Sequence, residues 1–199
     1  MAPTKISSNT SNSSSGTADK LLDSAQRMVQ ERGFNAFSYA DLASEIGIRS
    51  ASIHYHFKSK MDLGEALLRR YLDGLELRLD ELDRLGSSKE RLENLISDYR
   101  DTERRGFICL CGSLASDVET LPEAMQTLVQ KYFARTESWV KQQIEDGIQS
   151  GELSPVAKAD DLASMLISCL QGALLIDRAR HKESMLDAVE RTFFSALGT

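Results

Sequence analysis

The stretch SYADLASEIGIRSASIHYHFKSK, residues 38–60, has the pattern of two short helices joined by a tight turn. Ser38 with Asp41 three residues later is typical of a capped helix start, because the serine oxygen and the carboxylate bind free backbone amides. Gly47 is a suitable end for that helix. A second helix over about residues 50–56 follows. The spacing predicts a helix-turn-helix, in which the first helix supports the second and the second faces a DNA major groove.

The second helix divides into an inner and an outer face. Ile53 and Phe57 are expected to hold it to the domain, and the small Ala51 lets the two helices pack closely. The polar or amphipathic positions, together with a tyrosine of the first helix, form the predicted DNA-binding set: Tyr39, Arg49, Ser50, Ser52, His54, Tyr55 and His56. Arginine can bind guanine with two hydrogen bonds, while serine, histidine and tyrosine can contact phosphates or base edges. Residues two apart on a helix point apart, so the two histidines do not suggest a metal site.

The segment before this motif also has a helical pattern. Its apolar residues recur at intervals of three and four: Leu21, Ala25, Met28 and Val29. They predict a helix from about Thr17 that ends at Gly33, followed by two phenylalanines, at 34 and 37, in the core. Residues 1–16 are rich in Ser, Asn and Thr, which predicts a disordered tail. An arm that contacts DNA is the alternative, although Lys5 is the only basic residue in this tail.

The rest of the chain predicts further helices and no strand. They are expected near residues 61–85, 88–105, 108–118, 122–150, 158–180 and 182–197. We therefore predict an all-α protein with an N-terminal three-helix domain that contains the helix-turn-helix (residues 17–62). A C-terminal helical domain for ligand binding and dimerisation (residues 63–199) follows it.

Composition sets the class of protein. Hydrophobic residues make up 41% of the chain and charged residues 27%, as in ordinary globular proteins. The net charge of −6 is uneven, because residues 1–62 carry seven basic and six acidic side chains while the remainder carries 17 and 24. Local charge governs phosphate binding, so this balance permits it. Three cysteines argue against a disulfide framework, and we find neither a secretory signal nor an apolar run of about 18 residues. We expect a cytoplasmic protein without a membrane partner.

Three stretches carry a family resemblance: LLDSAQRMVQERGF (residues 21–34), SYADLASEIGI (38–48) and SASIHYHFKSKMDL (50–63). In them, residues 17–71 resemble the DNA-binding domain of the tetracycline-repressor (TetR) family, to which AcrR-type regulators also belong. The resemblance implies a dimeric transcription regulator that binds double-stranded operator DNA and responds to a small effector. It covers about a quarter of the chain.

The resemblance also implies roles for single residues. Ser38 corresponds to a residue that caps the second helix and contacts a phosphate, Ser52 and His56 to contacts of the recognition helix, and Lys60 to a phosphate contact at the start of the fourth helix. His54 stands where a tyrosine is frequent in the family, so its neighbour, the tyrosine at 55, is expected to take over that contact. Ala51 stands where glycine is frequent, which a helix tolerates well.

In the family, the fifth to eighth helices surround a ligand cavity. Aromatic, methionine and cysteine side chains of the C-terminal domain are the candidates to line it: Tyr99, Phe107, Cys109, Cys111, Met125, Tyr132, Phe133, Trp139 and Met165. The last two helices carry apolar stripes that predict a four-helix dimer interface with Leu170 in it. Ligand binding is expected to shift the fourth helix, and no cofactor or metal is expected.

Three alternatives remain open at this level. Arg104 and Arg105 could lower the pKa of the Cys109 or Cys111 thiol, which would make the protein a sensor of electrophiles or oxidants. The regulator could activate transcription instead of repressing it. An all-α enzyme with a cysteine nucleophile is the weakest alternative, because no histidine lies near the cysteines along the chain and no zinc or phosphate-loop motif is present.

Overall fold

The computed structural model describes residues 12–182 and 185–199. Within these ranges the chain forms nine α-helices and two 3-10 turns and contains no β-strand, which confirms the predicted fold class. The helices are α1 (Asn12–Arg32), α2 (Tyr39–Ile46), α3 (Ser50–His56), α4 (Lys60–Leu82), α5 (Ser88–Arg104), α6 (Leu110–Ala115), α7 (Glu123–Ser150), α8 (Ala159–Arg180) and α9 (Met185–Ala196). The 3-10 turns cover Phe34–Ala36 and Val118–Thr120.

Helix α1 begins earlier than the sequence predicts, at Asn12 instead of near Thr17. Each residue added to an existing helix gains one backbone hydrogen bond, so polar residues can extend a helix whose packed part is already formed. Residues 12–16, which the sequence assigned to a disordered tail, belong to α1 in the structure. Residues 1–11, which include the predicted arm with Lys5, lie outside the described part of the chain.

The packed part of α1 follows the predicted pattern. Its buried face consists of Leu21, Ala25, Met28 and Val29. Gly33 ends the helix with a φ of +92°, a backbone conformation that glycine adopts without a steric penalty. Phe34 and Phe37 then pack edge to face, with their ring centroids 5.9 Å apart, and both are buried. These two rings join α1 to the helices that follow.

The helix-turn-helix forms as its local signals predict. The Ser38 side chain accepts a hydrogen bond from the Asp41 amide while the Asp41 carboxylate accepts one from the Ser38 amide, so the predicted cap is a reciprocal capping box. Gly47 ends α2 in the left-handed conformation, with a φ of +70°. Ile53 is fully buried and anchors α3 against the domain. The opposite face of α3 is left in solvent.

Helix α4 connects the N-terminal helices to the larger helical body. Near its start Gly64 lies against Phe34 and against Met125 of α7. A Cβ atom added at Gly64 would lie 2.6 Å from Met125 Cε and 2.9 Å from the Phe34 ring, which is too close for any side chain. Glycine at this position is therefore what lets the three segments meet.

The helices of the C-terminal body have nearly the predicted bounds, with one exception. The helix expected over residues 108–118 shrinks to the six residues of α6, followed by the second 3-10 turn. Gly106 takes a positive φ of +72°, and the Ile108 amide donates to the Gln30 carbonyl of α1 at 3.3 Å instead of entering a helix. A contact distant in sequence thus overrides the local helical pattern.

Helix α8 departs from two expectations. Its length and composition would suffice to cross a membrane, although no apolar run of about 18 residues was expected from the sequence. In the fold α8 packs against α7 and α9, and 39% of its apolar stretch is buried. A core helix meets the same criterion, so this is weak evidence for a membrane. Leu170, predicted to lie in a dimer interface, is fully buried inside the protomer.

Candidate DNA-binding surface and internal cavity

The outer face of α3 presents most of the predicted DNA-binding residues to solvent. Five of them are exposed: Arg49, Ser50, Ser52, His54 and Tyr55. Tyr55 is the most open, with 81% of its surface accessible, while His56 is half-buried and packs edge to face on the Tyr55 ring at 5.2 Å. A large aromatic side chain left in water at this position is available to a partner.

Tyr39 has a different position from the one predicted. Its hydroxyl donates to the carbonyls of Phe57, at 3.1 Å, and Ser59. Its ring lies edge to face on His54 at 4.9 Å. Burial, with a smaller contribution from the Asp62 carboxylate, raises the pKa of Tyr39 to about 12. Tyr39 therefore ties α2 to the turn after α3, and a direct DNA contact would require it to give up these bonds.

Lys60 also turns inward. Its ammonium donates to the carbonyl of Phe37 and lies 4.7 Å and 4.3 Å from the ring centroids of Phe34 and Phe37. Burial lowers the pKa of Lys60 below its ordinary value. The predicted phosphate contact would therefore require the Lys60 side chain to leave the Phe37 carbonyl and the two rings. The rings of Phe34 and Phe37, which attract the Lys60 ammonium, belong to a segment more than 20 residues earlier in the chain.

The sequence reasoning missed one cation on this surface. Lys58 is exposed in the turn after α3, next to the recognition helix. Neither Lys58 nor Arg49 forms an ion pair with any residue in the described ranges. The sequence alone could have identified Lys58, because a basic residue directly after a recognition helix is well placed to contact a phosphate.

A cavity of about 260 Å³ opens between α4, α5, α7 and the segment before α6. Three of the nine predicted lining residues are in its wall, namely Tyr99, Cys109 and Tyr132. The other lining residues are Tyr71, Gly74, Leu75, Arg78, Leu79, Leu95, Asp98, Asp101, Thr102 and Arg105. The sequence reasoning missed the whole contribution of α4, which supplies five of these thirteen residues.

The remaining six predicted lining residues do not reach this cavity. Cys111, Met125 and Trp139 are buried in the core, and the Trp139 indole donates to Asp83 at 2.8 Å. Phe133 packs on the outer side of the Tyr132 ring. The other two lie elsewhere: Phe107 beside α8 in a separate cleft, and Met165 on the outer face of α8. These six residues therefore lie outside this cavity, because helical stripes of large side chains also build a core.

The comparisons with known proteins agree with this arrangement. Residues 21–67 match the family described as "Bacterial regulatory proteins, tetR family". Residues 88–193, more than half of the chain, match "Tetracyclin repressor-like, C-terminal domain". The chain belongs to the TetR family. It is therefore a DNA-binding transcription regulator, as the resemblance implied.

Individual relatives cover most of this TetR-family chain. The transcriptional repressor KstR2 of Mycobacterium tuberculosis is 32% identical over 149 residues, which cover 71% of each chain. The transcriptional repressor NemR of Escherichia coli is 26% identical over 165 residues, or 80% of this chain and 82% of NemR. A TetR-family regulator from Agrobacterium tumefaciens superposes with a TM-score of 0.88 at 30% identity, covering 92% of this chain and 98% of that one.

The cavity floor of this TetR-family protein is a group of hydroxyls around one thiol. The Cys109 sulfur lies 3.6 Å from the Tyr132 hydroxyl and 3.9 Å from that of Tyr71, and Tyr99 accepts a hydrogen bond from Gln171 at 3.2 Å. Burial raises the pKa of all three tyrosines well above the ordinary value, so they remain neutral at physiological pH. The floor can therefore donate hydrogen bonds but carries no negative charge from these phenols.

The thiols differ in their surroundings. Cys111 is fully buried, and burial followed by the nearby Cys109 raises its pKa well above the ordinary value. The expectation that Arg104 and Arg105 would activate this thiol is therefore wrong for Cys111. Cys109 is only 3% exposed, although its side chain lines the cavity. Cys169 is exposed on α8, far along the chain from both.

The wall of the cavity is joined directly to α1. Cys109 lines the cavity, and the preceding residue, Ile108, is bonded to Gln30 of α1: its amide donates to the Gln30 carbonyl, and its carbonyl accepts from Gln30 Nε2 at 3.1 Å. Arg178 of α8 also donates to the Gln30 carbonyl, at 3.0 Å, and Ser113 of α6 donates to the Val29 carbonyl, at 3.1 Å. We name this group the Gln30 junction.

The outer faces of α8 and α9 carry small and apolar side chains. On α8 they are Met165, Ser168, Cys169, Gly172, Leu175, Ile176 and Ala179, and on α9 they are Ala188, Thr192 and Ser195. Leu170, which the sequence placed in a dimer interface, faces the interior of the protomer together with Leu166 and Leu174, whereas Met165 and Cys169 of the same apolar stripe lie on the outer face. The surface available to a second subunit is therefore the opposite side of α8.

Proposed function

We propose that this regulator is a homodimeric repressor that binds a palindromic operator and leaves it when a small effector occupies the cavity beside Cys109. The printed names of KstR2 and NemR describe both as repressors, which supports repression over activation. We place the protein in the cytoplasm and expect it to catalyse no reaction. The observation that carries the proposal is the Gln30 junction, because it joins a cavity wall to the first helix of the DNA-binding domain.

On the DNA side, α3 supplies the contacts in this proposal. Arg49 is the candidate for base recognition in the major groove, since its guanidinium is exposed and has no acidic partner among the described residues. Lys58 is the candidate for a phosphate. The hydroxyls and rings of α3 supply the remaining contacts: Ser50, Ser52, Tyr55 and His56. Ser38 adds a phosphate contact without losing its capping role. Tyr39 and Lys60 support the motif from behind, and the exposed His54, whose ring packs on Tyr39, adds a contact at the edge of α3.

Two recognition helices are needed for a palindrome, so the proposal includes a dimer through the outer faces of α8 and α9. Half-sites lie about 34–36 Å apart, one turn of DNA, and a dimer fixes that separation. Gly172 and the small residues around it allow two copies of α8 to approach closely. The buried side of α8 packs on α7, so the spacing of the two subunits is tied to the helices around the cavity.

In the proposed release step, the effector moves the cavity wall and the wall moves α1. A ligand that displaces Cys109 also displaces Ile108, and the two hydrogen bonds to Gln30 transmit the shift. Helix α4, which the sequence reasoning named as the connection, remains a second route, since it lines the cavity and starts at the helix-turn-helix. An effector acts only if it binds the released conformation more tightly than the DNA-binding conformation. To change the ratio of these conformations from 1:99 to 99:1, its binding free energies for the two must differ by about 5.5 kcal/mol.

A thiol sensor is the second candidate, and the position of Cys109 in the cavity wall is the observation that favours it. The reversible ligand remains the stronger proposal, because Cys111 is buried with a raised pKa and Cys109 is reached only through the cavity. Cysteine reacts as the thiolate, which burial disfavours.

The proposal is tested by mapping the binding sites of the protein across its genome and measuring affinity for the recovered site by fluorescence anisotropy. We expect a palindromic site, two chains per site, and repression when the site overlaps a promoter in a transcription assay. A small-molecule extract of the cells should lower the affinity. Binding without sequence preference would contradict the proposal, and increased transcription from the same promoter would replace repression by activation.

A further inference from the structure

The cavity combines an apolar, aromatic floor with a charged mouth. The floor has the rings of Tyr71, Tyr99 and Tyr132 with leucines beside them, and the mouth has charged residues of α4 and α5, including Arg78 and Asp98, whose side chains are 39% and 37% exposed. From this arrangement we infer that the effector is an aromatic carboxylate of a single ring, whose carboxylate pairs with Arg105. This inference rests on the proposed function, because it names the ligand of the same cavity.

One arginine without an ion pair at the mouth favours an anionic ligand. Arg78 donates to both Asp98 oxygens, at 2.9 Å and 3.0 Å, and to the Glu81 carboxylate at 3.1 Å, so its guanidinium is fully engaged. Asp101 is paired with Arg104 at 3.0 Å. Arg105 uses its Nε to donate to the Asp101 backbone carbonyl, and no carboxylate of the described ranges lies within ion-pair distance of it. Arg105 is therefore the one charged side chain of the described lining that forms no ion pair.

Arginine suits a carboxylate because its planar guanidinium can offer two parallel N–H donors. At Arg105 the Nε atom is occupied, and the outer nitrogens have no partner among the described residues. A ligand ammonium at the same place would face an unpaired cation. Phosphate esters are less suitable, because a dianion needs more than one cation and Arg105 is the one unpaired cation of the described lining.

The floor selects an aromatic ring that can accept hydrogen bonds. The rings of Tyr71 and Tyr132 are tilted by 30° at a centroid distance of 5.4 Å and offer faces and edges for a further ring. Leu75, Leu79 and Leu95 close the cavity with apolar surface. Because burial keeps the tyrosine hydroxyls protonated, a phenol or ether oxygen on the ligand finds O–H donors there.

The volume limits the size of the ligand. Sites for drug-sized molecules measure about 300–1,000 Å³, and this cavity measures about 260 Å³. One ring with short substituents is consistent with this space, whereas a fused polycyclic ligand would require the walls to move apart.

The test uses three phenols whose para substituents are anionic, neutral and cationic: 4-hydroxybenzoate, 4-hydroxybenzamide and 4-hydroxybenzylamine. Calorimetric titration into the full-length protein should give measurable binding of the benzoate and binding weaker by tenfold or more for the other two, as expected when a charge-assisted hydrogen bond is lost. Equal or tighter binding of the amide or the amine would overturn the inference.

Arg105 and Arg84 give a matched pair of variants, because both are exposed arginines and only Arg105 lines the cavity. Arg105→Gln should weaken benzoate binding about tenfold or more and leave the weak amide binding unchanged, while Arg84→Gln should leave both unchanged. Loss of benzoate binding in both variants would show a general charge effect and overturn the assignment to Arg105. Melting temperatures of both variants without probe show whether either substitution merely unfolds the protein.

Operator release is measured separately with the same probes. If the benzoate binds through Arg105 but the operator complex stays intact, the ligand class stands and the proposed coupling fails. If a cationic or neutral extract component releases the operator while the benzoate does not bind, the ligand class fails and the proposed function stands.

Discussion

Gln30 and Ile108, 78 positions apart in the chain, hold each other by two hydrogen bonds: the Ile108 amide donates to the Gln30 carbonyl, and Gln30 Nε2 donates to the Ile108 carbonyl. Gln30 is only 7% exposed, so water cannot readily replace either bond. A buried amide side chain that donates a hydrogen bond to a backbone carbonyl fixes the distance between two structural units. In this protein the two units are the DNA-binding domain and the cavity wall.

Replacing Gln30 tests whether this contact carries the signal. Gln30→Met should lower the free energy of unfolding by about 1–3 kcal/mol, because the Ile108 carbonyl loses its side-chain donor in a buried place. Gln142→Met, at an exposed position of α7, should change it by less than about 0.5 kcal/mol. Urea unfolding measures both. In the Gln30 variant we also expect a saturating effector to release a smaller fraction of the operator than in the wild type. Full release would show that the contact between Gln30 and Ile108 does not transmit the signal.

Arg49 is expected to read a base. Arg49→Ala should weaken operator binding by about 1–3 kcal/mol and relax the preference for guanine at one position of each half-site. Anisotropy titrations with the operator and with single-base variants measure both effects. Equal losses on operator and random DNA would instead assign Arg49 to a phosphate.

Lys58 and Lys60 are expected to behave differently although two positions separate them. Lys58→Ala should weaken binding to all DNA alike and reduce the slope of log affinity against log salt by about one unit. Lys60→Met should leave that slope nearly unchanged and lower the melting temperature, because the Phe37 carbonyl and two rings lose their cation. A salt slope that falls for Lys60 but not for Lys58 would restore the contact implied by the family resemblance.

The dimer interface is tested on the outer side of α8. Ile176→Glu should produce monomers and abolish tight operator binding, since an unpaired charge would be buried between two subunits. Leu77→Glu on α4 is the control, because Leu77 is even more exposed and lies outside that face. Sedimentation velocity gives the oligomeric state. Leu170→Glu would be uninformative, because Leu170 belongs to the protomer core and its substitution would unfold the chain.

The cysteines separate the two sensing proposals. Iodoacetamide should modify Cys109 slowly and Cys111 only after unfolding, as peptide mass mapping would show. Cys169, exposed in the protomer but on the proposed dimer face of α8, should react faster in the monomeric Ile176→Glu variant than in the wild-type dimer. Under the reversible-ligand proposal, wild-type protein keeps its operator in hydrogen peroxide, and the effector still releases Cys109→Ser and Cys111→Ser from DNA. Release by peroxide that disappears in Cys109→Ser but persists in Cys169→Ser would favour the thiol sensor.

The parts of this structure that short segments determine could be predicted from the sequence. Ser38 and Asp41 form their cap within one helical turn, and Gly47 ends that helix by its own backbone freedom. The aromatic and thiol members of the cavity wall, Tyr99 and Tyr132 among them, were found because their side chains are conspicuous in a helical pattern.

Positions that depend on distant partners could not be predicted. Arg78 enters the cavity wall through a pairing with Asp98, 20 residues away on another helix. Lys60 turns inward because two rings of a separate segment lie beneath it. Helix α8 has apolar residues on both sides, so periodicity alone could not tell the core position Leu170 from the outer position Met165.

Because Gly64 has no side chain, the two parts of the molecule pack closely there, and this affects thermal unfolding. Phe34 from the N-terminal helices and Met125 from the C-terminal body meet across this residue, and one continuous hydrophobic cluster runs through both. Two parts that share a core cannot lose their order one at a time, so heating should give a single calorimetric transition for the whole chain. A ligand bound in the cavity would then raise the midpoint temperature of unfolding of the helix-turn-helix by the same number of degrees as that of the helices around the cavity.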